Sequence, residues 1–511
     1  MFGFVSVYII NLQTSYCIMK NYLFQCFTLL QQFVQSPRMV SHATMRLALM
    51  LFVLTQTCPR VYAQVITDKA DLQQMMDNLG VTIGVQPDFQ NDPNRPAFTR
   101  PRTPHQRPLK VWTDVEGYSP ASPMNQIIVR SPWGLWVNYH PEQAYTQDYP
   151  VRSLPATLAE WQSIRPEMKR LCQEEVWGVV PACADSLHVD WVLRHVATVD
   201  STFRQFDEYL LTGVIDIARY PELPHQPLIR TRLYVPTLGS RVPAVVHFVG
   251  MGSPHPVFLS ECIRRGWAYI QMDHTALQPD NGAWLRDYLI GLCNRGSART
   301  PSDWGALAAW GWGVSRLIDY FSTSTLIDSH HVTVAGHSRC GKAALVTAAY
   351  DERVFAAFVS CSGAGGAAPI RRHFGEDIEQ VATYAEYHWL AGNVTKYCGP
   401  VEEKSYFPRR SSLLPIDSHV LLALCAPRPI FITGGTEDLW ADPYGMFMTC
   451  QRATPVYQAY GKEGLATPDA TPTIDKAYTE GLLGYRLHQG GHVDYVDFPI
   501  VAQWLERQMK P

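Results

Sequence analysis

The chain has 511 residues, 46% of them hydrophobic and 17% charged, with a formal net charge of -3 at pH 7. That length and apolar content bury a large core, which excludes a disordered chain. The near-balanced charge, with no long basic block, excludes a surface built for a nucleic-acid backbone.

In chain order, MRLALMLFVL at 45–54 is an apolar run too short to span a membrane, which takes roughly 20 residues. Val61-Tyr62-Ala63 then supplies the small residues of a signal-peptidase site ahead of Gln64. Residues 1–63 are therefore expected to be an upstream extension plus a cleaved export signal, translated from Met39 or Met45, with no membrane span. Export permits disulfides. Cleavage after Ala63 removes Cys17, Cys26 and Cys58 and leaves nine of twelve cysteines, so at least one stays unpaired within the monomer. Neither a C-x-x-C pair nor an H-E-x-x-H occurs, so no metal is expected, and nothing calls for a cofactor.

Residues 64–137 read as a lead and a linker. Leu72, Met75, Met76 and Leu79 stand at helical spacing over 68–79, and a Pro-rich stretch at 86–108 reads as irregular chain hugging a surface. From roughly Asn138 to Pro511 the pattern is that of one α/β domain, entered by a helix over 165–181. Apolar runs at 244–249, 267–272, 332–335, 355–360 and 429–433 predict buried strands, and Ala306, Trp310, Gly313, Leu317 and Phe321 share one face of a helix over 303–321. This alternation predicts an α/β sandwich of three layers around a mostly parallel sheet.

The stretch AGHSRCGKAAL, Ala335 to Leu345, admits two readings. From Gly336 it gives G-x-x-x-x-G-K, a phosphate-binding loop without its final Ser or Thr, and also G-x-S, the front of a nucleophile elbow. Ala343 has no hydroxyl for magnesium, and an exported protein meets little ATP, so the phosphate reading fails. The elbow reading makes demands downstream, where an α/β-hydrolase carries its acid after a later strand and its His before the last helix. RPIFITGG at 428–435 is such a strand, and the loop after it offers Glu437, Asp438 and Asp442. Asp438 sits where the acid belongs, Glu437 should point away, and Asp442 before Pro443 reads as a turn residue. His492 lies in a Gly-rich loop ahead of a helix over 497–509, whereas His488 reads as a surface or hydrogen-bonded core residue.

These residues resemble the glucuronoyl esterases, carbohydrate esterase family 15, in their bacterial branch. The family elbow G-C/H-S-R-x-G-K is matched by Gly336, His337, Ser338, Arg339, Gly341 and Lys342, and DWGALAAWGWGVSRLIDY, GAGGAAPIRRHFGE, PIDSHVLLALCAPRP and TEDLWADP extend the likeness. The resemblance implies an α/β-hydrolase fold and a secreted serine esterase acting on glucuronate-bearing polysaccharide or lignin-carbohydrate esters. It implies a Ser338-His492-Asp438 triad, and an oxyanion held by the Arg339 N–H and side chain with an N–H of the Gly250-Met251-Gly252 turn, assigned to Met251. Lys342 and Glu376 would bind sugar hydroxyls, and Trp440 the ring's 4-position. Without the resemblance these three read as a solvated Lys, a Glu paired with Arg371 and Arg372, and a core Trp. Two departures from the fungal pattern stand out: Cys361 occupies the fungal acid's place, and His337 and Val493 stand where fungal members form a disulfide. The alternatives are a polysaccharide deacetylase such as an acetylxylan esterase, using the same triad, and an inactive carbohydrate-binding relative.

Overall fold

The computed structural model describes residues 68–79, 127–130, 136–139 and 153–510, apart from 373–375, 377, 383–385 and 399–409. The expected export signal and the Pro-rich stretch at 86–108 lie outside the described residues, and everything described falls within the unit Val65–Pro511.

The apolar runs pair as buried strands. A short antiparallel hairpin joins β1 (Ile127–Arg130) and β2 (Trp136–Tyr139). The main sheet contains β3 (Val189–Val199), β4 (Phe206–Ile215), β5 (Leu228–Pro236), β6 (Val242–Phe248), β7 (Ala268–Asp273) and β8 (Ile327–His337). It continues with β9 (Ala356–Ser360), β10 (Ile430–Gly435), β11 (Ala477–Tyr478) and β12 (Leu483–His488). The order across it is β11-β12-β10-β9-β8-β6-β7-β5-β4-β3. Strands β7, β6, β8, β9, β10 and β12 run parallel, while β3, β4 and β5 add an antiparallel wing. All five expected strands are present, each within about three residues of its expected ends except β8, which begins at Ile327.

Side chains alternate across the sheet because strand residues point to opposite faces in turn. Ala244, Val246 and Phe248 of β6 and Ala357 and Val359 of β9 enter one core, whereas Val245, Ala356 and Phe358 enter the other. The first core lies under α2 (Leu158–Cys172), α5 (Ala306–Thr323) and α6 (Arg339–Tyr350), with α7 (Ser418–Leu424) and α8 (Pro443–Ala459). The second lies under α3 (Pro256–Arg265) and α9 (Phe498–Gln508), where Phe258 stacks on Phe498 at 4.1 Å and Trp504 meets Phe431 edge-on. Helices on both faces of a mostly parallel sheet make the expected three-layer α/β-hydrolase sandwich. Two further helices, α1 (Asp68–Leu79) and α4 (Tyr288–Asn294), complete those used below.

The helix expected over 165–181 is displaced. It begins at Leu158, and its α-helical part ends at Cys172 before a wider turn over Gln173–Trp177. Thr157 caps it by accepting the Glu160 N–H at 3.4 Å and donating its hydroxyl to the Glu160 carboxylate, eight residues ahead of the expected start at Arg165. Pro166 lies inside the helix. The helix expected over 303–321 starts at Ala306, with Gly305 as its N-cap.

Strand order fixes where a site can sit. From β6 the chain passes to β7 on one side and later to β8 on the other, so the order reverses there. A crevice opens outside the carboxyl ends of the strands at such a reversal, and Ser338 follows β8 at that end. All nine cysteines among the described residues are free thiols.

Candidate active site

The elbow is built by close approach. Gly336 ends the buried part of β8, and a Cβ there would lie 2.0 Å from the Cys340 carbonyl oxygen, so no other residue lets the chain fold back into α6. Ser338 is left in a conformation few non-glycine residues adopt, with φ 58° and ψ -127°. Such strain persists only where surroundings over-determine it. Here the Ser338 N–H donates to the Ser360 carbonyl at 2.9 Å, and its own carbonyl accepts from Gly341 at 2.8 Å and Lys342 at 3.1 Å. Arg339 is the first residue of α6, so its N–H has no acceptor within the helix.

Two neighbouring strands deliver the other triad candidates. β10 and β12 pair in register up to Gly435 and His488, so the loops leaving them stay together. Thr436 donates to the His488 carbonyl at 2.9 Å and Glu437 to the Gly490 carbonyl at 2.7 Å, and this lacing turns Asp438 toward His492. His492 Nδ1 lies 2.7 Å from Asp438 Oδ2, with the carboxylate buried and the imidazole 39% exposed. His337, next to Ser338, packs its ring on that of His492 with centroids 4.2 Å apart.

Asp442 and His488 are held by local hydrogen bonds. Asp442 caps α8 by accepting the Gly445 N–H at 2.9 Å, and Glu437 is half-buried. His488 is buried between Asp497 at 2.8 Å and the Gly491 carbonyl at 3.0 Å. Cys361 is a buried thiol whose pKa burial and the Asp438 charge push far up. Its sulfur, an Asp438 oxygen and a His492 nitrogen lie within 4.8 Å of one another, so Cys361 borders the candidate acid Asp438.

Lys342, Glu376 and Trp440 come together. Lys342 is 3% exposed, donating to Glu376 Oε2 at 2.5 Å and to the Ser362 carbonyl at 2.6 Å, and the Glu376 N–H donates to the Trp440 carbonyl at 2.7 Å. Glu376 thus pairs with Lys342, a partner 34 residues away in sequence. Burial raises the Glu376 pKa against the pull of Lys342. Glu386 rises to about 7, through burial and then repulsion by Glu376, with Lys342 and Arg339 pulling the other way. Arg339 is 44% exposed, and its guanidinium donates to Asp280 Oδ2 at 2.6 Å and lies 5.1 Å from the centroid of the Trp389 ring. Asp280, His388 and Trp389 carry no motif in the sequence; only the fold brings them to Arg339. Met251 lies in the turn after β6, half-buried. Two cavities of about 480 Å³ lie elsewhere, neither touching Ser338.

The profile of the family described as "Glucuronyl esterase, fungi" matches residues 230–461. A solved structure of a carbohydrate esterase family 15 glucuronoyl esterase from Teredinibacter turnerae superposes with a TM-score of 0.68 at 28% identity, covering 87% of this chain and all of that one. Over these residues the chain is similar to the glucuronoyl esterases. Among curated relatives, carbohydrate esterase MZ0003 from an unknown prokaryote is 41% identical over 40% of this chain and 45% of its own length. A 4-O-methyl-glucuronoyl methylesterase from Phanerochaete carnosa is 27% identical over 61% of this chain and 70% of its own. The chain therefore spans less than half the length of the first of these relatives.

The family's elbow allows Cys or His before its serine, and His337 shows what the histidine brings. Burial, followed by the neighbouring His492, holds its pKa down to about 4, while Asp494, Asp438 and His247 face it with smaller effects. His337 is thus neutral near pH 7 and puts no second cation beside His492. Because the folded pKa lies below the unfolded value of about 6.5, the unfolded chain takes the proton first, and stability falls as pH drops from 6.5 toward 4. Between pH 7 and pH 5 this site should cost about 2 kcal/mol. Urea unfolding at the two pH values should show His337→Asn losing less stability than the parent; equal losses would reassign the effect to other groups.

Proposed function

We propose that the protein is a secreted serine esterase that hydrolyses esters of (4-O-methyl-)glucuronic acid on xylan, as in lignin-carbohydrate linkages. The observation that carries the reading is the Asp438-His492 hydrogen bond beside a strained serine elbow, at the carboxyl ends of adjacent strands. His492 takes the Ser338 proton as Oγ attacks the ester carbonyl, and Asp438 holds the imidazole's other nitrogen and stabilises its charged form. The proton then passes to the leaving alcohol, and water, activated by the same imidazole, cleaves the acyl-enzyme.

The oxyanion of each tetrahedral intermediate is met by the N–H groups of Arg339 and Met251, with the Arg339 guanidinium adding a full positive charge. Donors fixed in advance stabilise charge as it develops and leave the neutral ground state nearly untouched. The Lys342-Glu376 pair and Trp440, tied to it through its carbonyl, form the wall that selects the sugar. Two of the three Lys342 donors are already used, so one remains for a hydroxyl.

Ser338→Ala or His492→Ala should abolish turnover of a benzyl glucuronate ester while leaving the thermal midpoint in place. Asp438→Asn should cost far more than Asp442→Asn or Cys361→Ala; the reverse order would displace the acid.

Lys342→Ala should raise KM for the glucuronate ester and leave 4-nitrophenyl acetate hydrolysis nearly unchanged, since acetate offers no sugar hydroxyl. The ratio of the two kcat/KM values in parent and variant decides it. A parent that prefers acetyl esters, with a ratio indifferent to Lys342, would replace this reading with a deacetylase.

Export is part of the proposal. Among the described residues no helix is long and apolar enough to cross a membrane. Intact mass of the secreted protein should place Gln64 first, and residues 1–44 on the mature chain would refute it.

A further inference from the structure

The cation at the elbow is clamped by a group outside the motif. Asp280 lies beyond β7, and its carboxylate accepts three bonds: Nε1 of Trp389 at 2.6 Å and Nε2 of His388 at 2.9 Å on Oδ1, and Nη1 of Arg339 at 2.6 Å on Oδ2. Burial alone would raise its pKa, yet these donors and the Arg339 charge hold it well below the usual carboxylate range. The carboxylate is charged at any pH where an esterase of this kind would work.

The support beneath Asp280 is rigid. Gln278, fully buried two residues earlier, donates to the Trp284 carbonyl at 3.0 Å and accepts from the Ile290 N–H of α4 at 3.0 Å, while its carbonyl receives Trp310 Nε1 of α5 at 2.7 Å. Trp389 is held equally firmly. A Cβ at Gly305 would lie 2.2 Å from the Trp389 carbonyl oxygen, so this segment presses on the start of α5, and the buried Arg299 donates to the next carbonyl, that of Leu390, at 2.7 Å.

One ring and one carboxylate therefore address the site's two cations. The Trp389 ring carries the Arg339 guanidinium 5.1 Å from its centroid and the Lys342 ammonium at 5.6 Å, and the same indole fixes Asp280 through its N–H. A guanidinium presents five donors in a planar fork. With Nη1 taken by Asp280 and the ring supporting it, the orientation is set while other donors stay open on a side chain that is 44% exposed.

We propose that Asp280 is a positioning residue of the esterase, acting on catalysis by holding the Arg339 guanidinium in register with the oxyanion. This rests on the esterase reading above. Two effects oppose each other when the carboxylate is neutralised. The field of Arg339 at the reacting carbonyl grows because its counter-charge is gone, but the guanidinium loses its anchor. A misplacement of about 1 Å costs on the order of a hundredfold in rate, so the loss of anchoring dominates.

The test is a double-mutant cycle of Asp280→Asn and Arg339→Ala, with kcat and KM measured on benzyl glucuronate ester and on 4-nitrophenyl acetate. Asp280→Asn alone should lower kcat about 10- to 100-fold with KM within about threefold, and should change the Arg339→Ala enzyme by less than about twofold. Equal losses in both backgrounds, or no loss in the parent, overturn the proposal. Both substrates form the same oxyanion, so the cycle on acetate still decides the role of Asp280 if the glucuronate reading fails. Should Asp280→Asn not fold, Trp389→Phe keeps the ring and removes one donor to Asp280. Its loss must likewise vanish without Arg339, and a loss that persists there overturns the clamp.

Discussion

Everything at the site depends on how closely the chain doubles back at the end of β8. Only a residue without a side chain fits between that strand and the Cys340 carbonyl, and the turn it allows forces Ser338 to positive φ. Positive φ at a serine costs roughly 1–3 kcal/mol. The Ser360 carbonyl and the first turn of α6 hold it there, so the strain is borne by a buried strand end and a helix start.

Around that turn the parallel strands act as a single jig. Asp438 and His492 are 54 residues apart in sequence, yet they meet because β10 and β12 pair to their last residues and the loops beyond keep exchanging backbone hydrogen bonds. The charged groups beneath are arranged on the same principle. Arg339 and Lys342 each face a carboxylate and share one aromatic ring, so the buried Lys342 is not left unpaired and the half-exposed Arg339 is held in place.

Local signals account for much of what the sequence revealed. β8, its glycine and the helix after it are contiguous, so hydrophobic period and turn chemistry suffice to find Ser338, and chain order then points to Asp438 and His492. The antiparallel wing was silent because β3 is an edge strand that mixes Asp190, Arg194 and His195 with exposed Val192 and Leu193, which blurs any two-residue alternation. Helix α2 starts before the expected residue 165 for a chemical reason: its cap at Thr157 stands nine residues before Pro166, which the helix carries inside it. Asp280, His388 and Trp389 were invisible for another reason. Asp280 and Trp389 lie about 50 to 60 residues from Arg339 along the chain, His388 reaches it only through Asp280, and no local spacing encodes a contact made by tertiary packing.

The nine thiols among the described residues share one chemical property. Most are buried, and for Cys172, Cys262, Cys293, Cys361, Cys425 and Cys450 burial lifts the pKa so far that almost no thiolate exists at neutral pH. Thiolate is the species that attacks disulfides and yields to oxidants. These six sites therefore offer little thiolate with which to form mixed disulfides, so the sulfurs in the core are shielded from exchange with partner thiols.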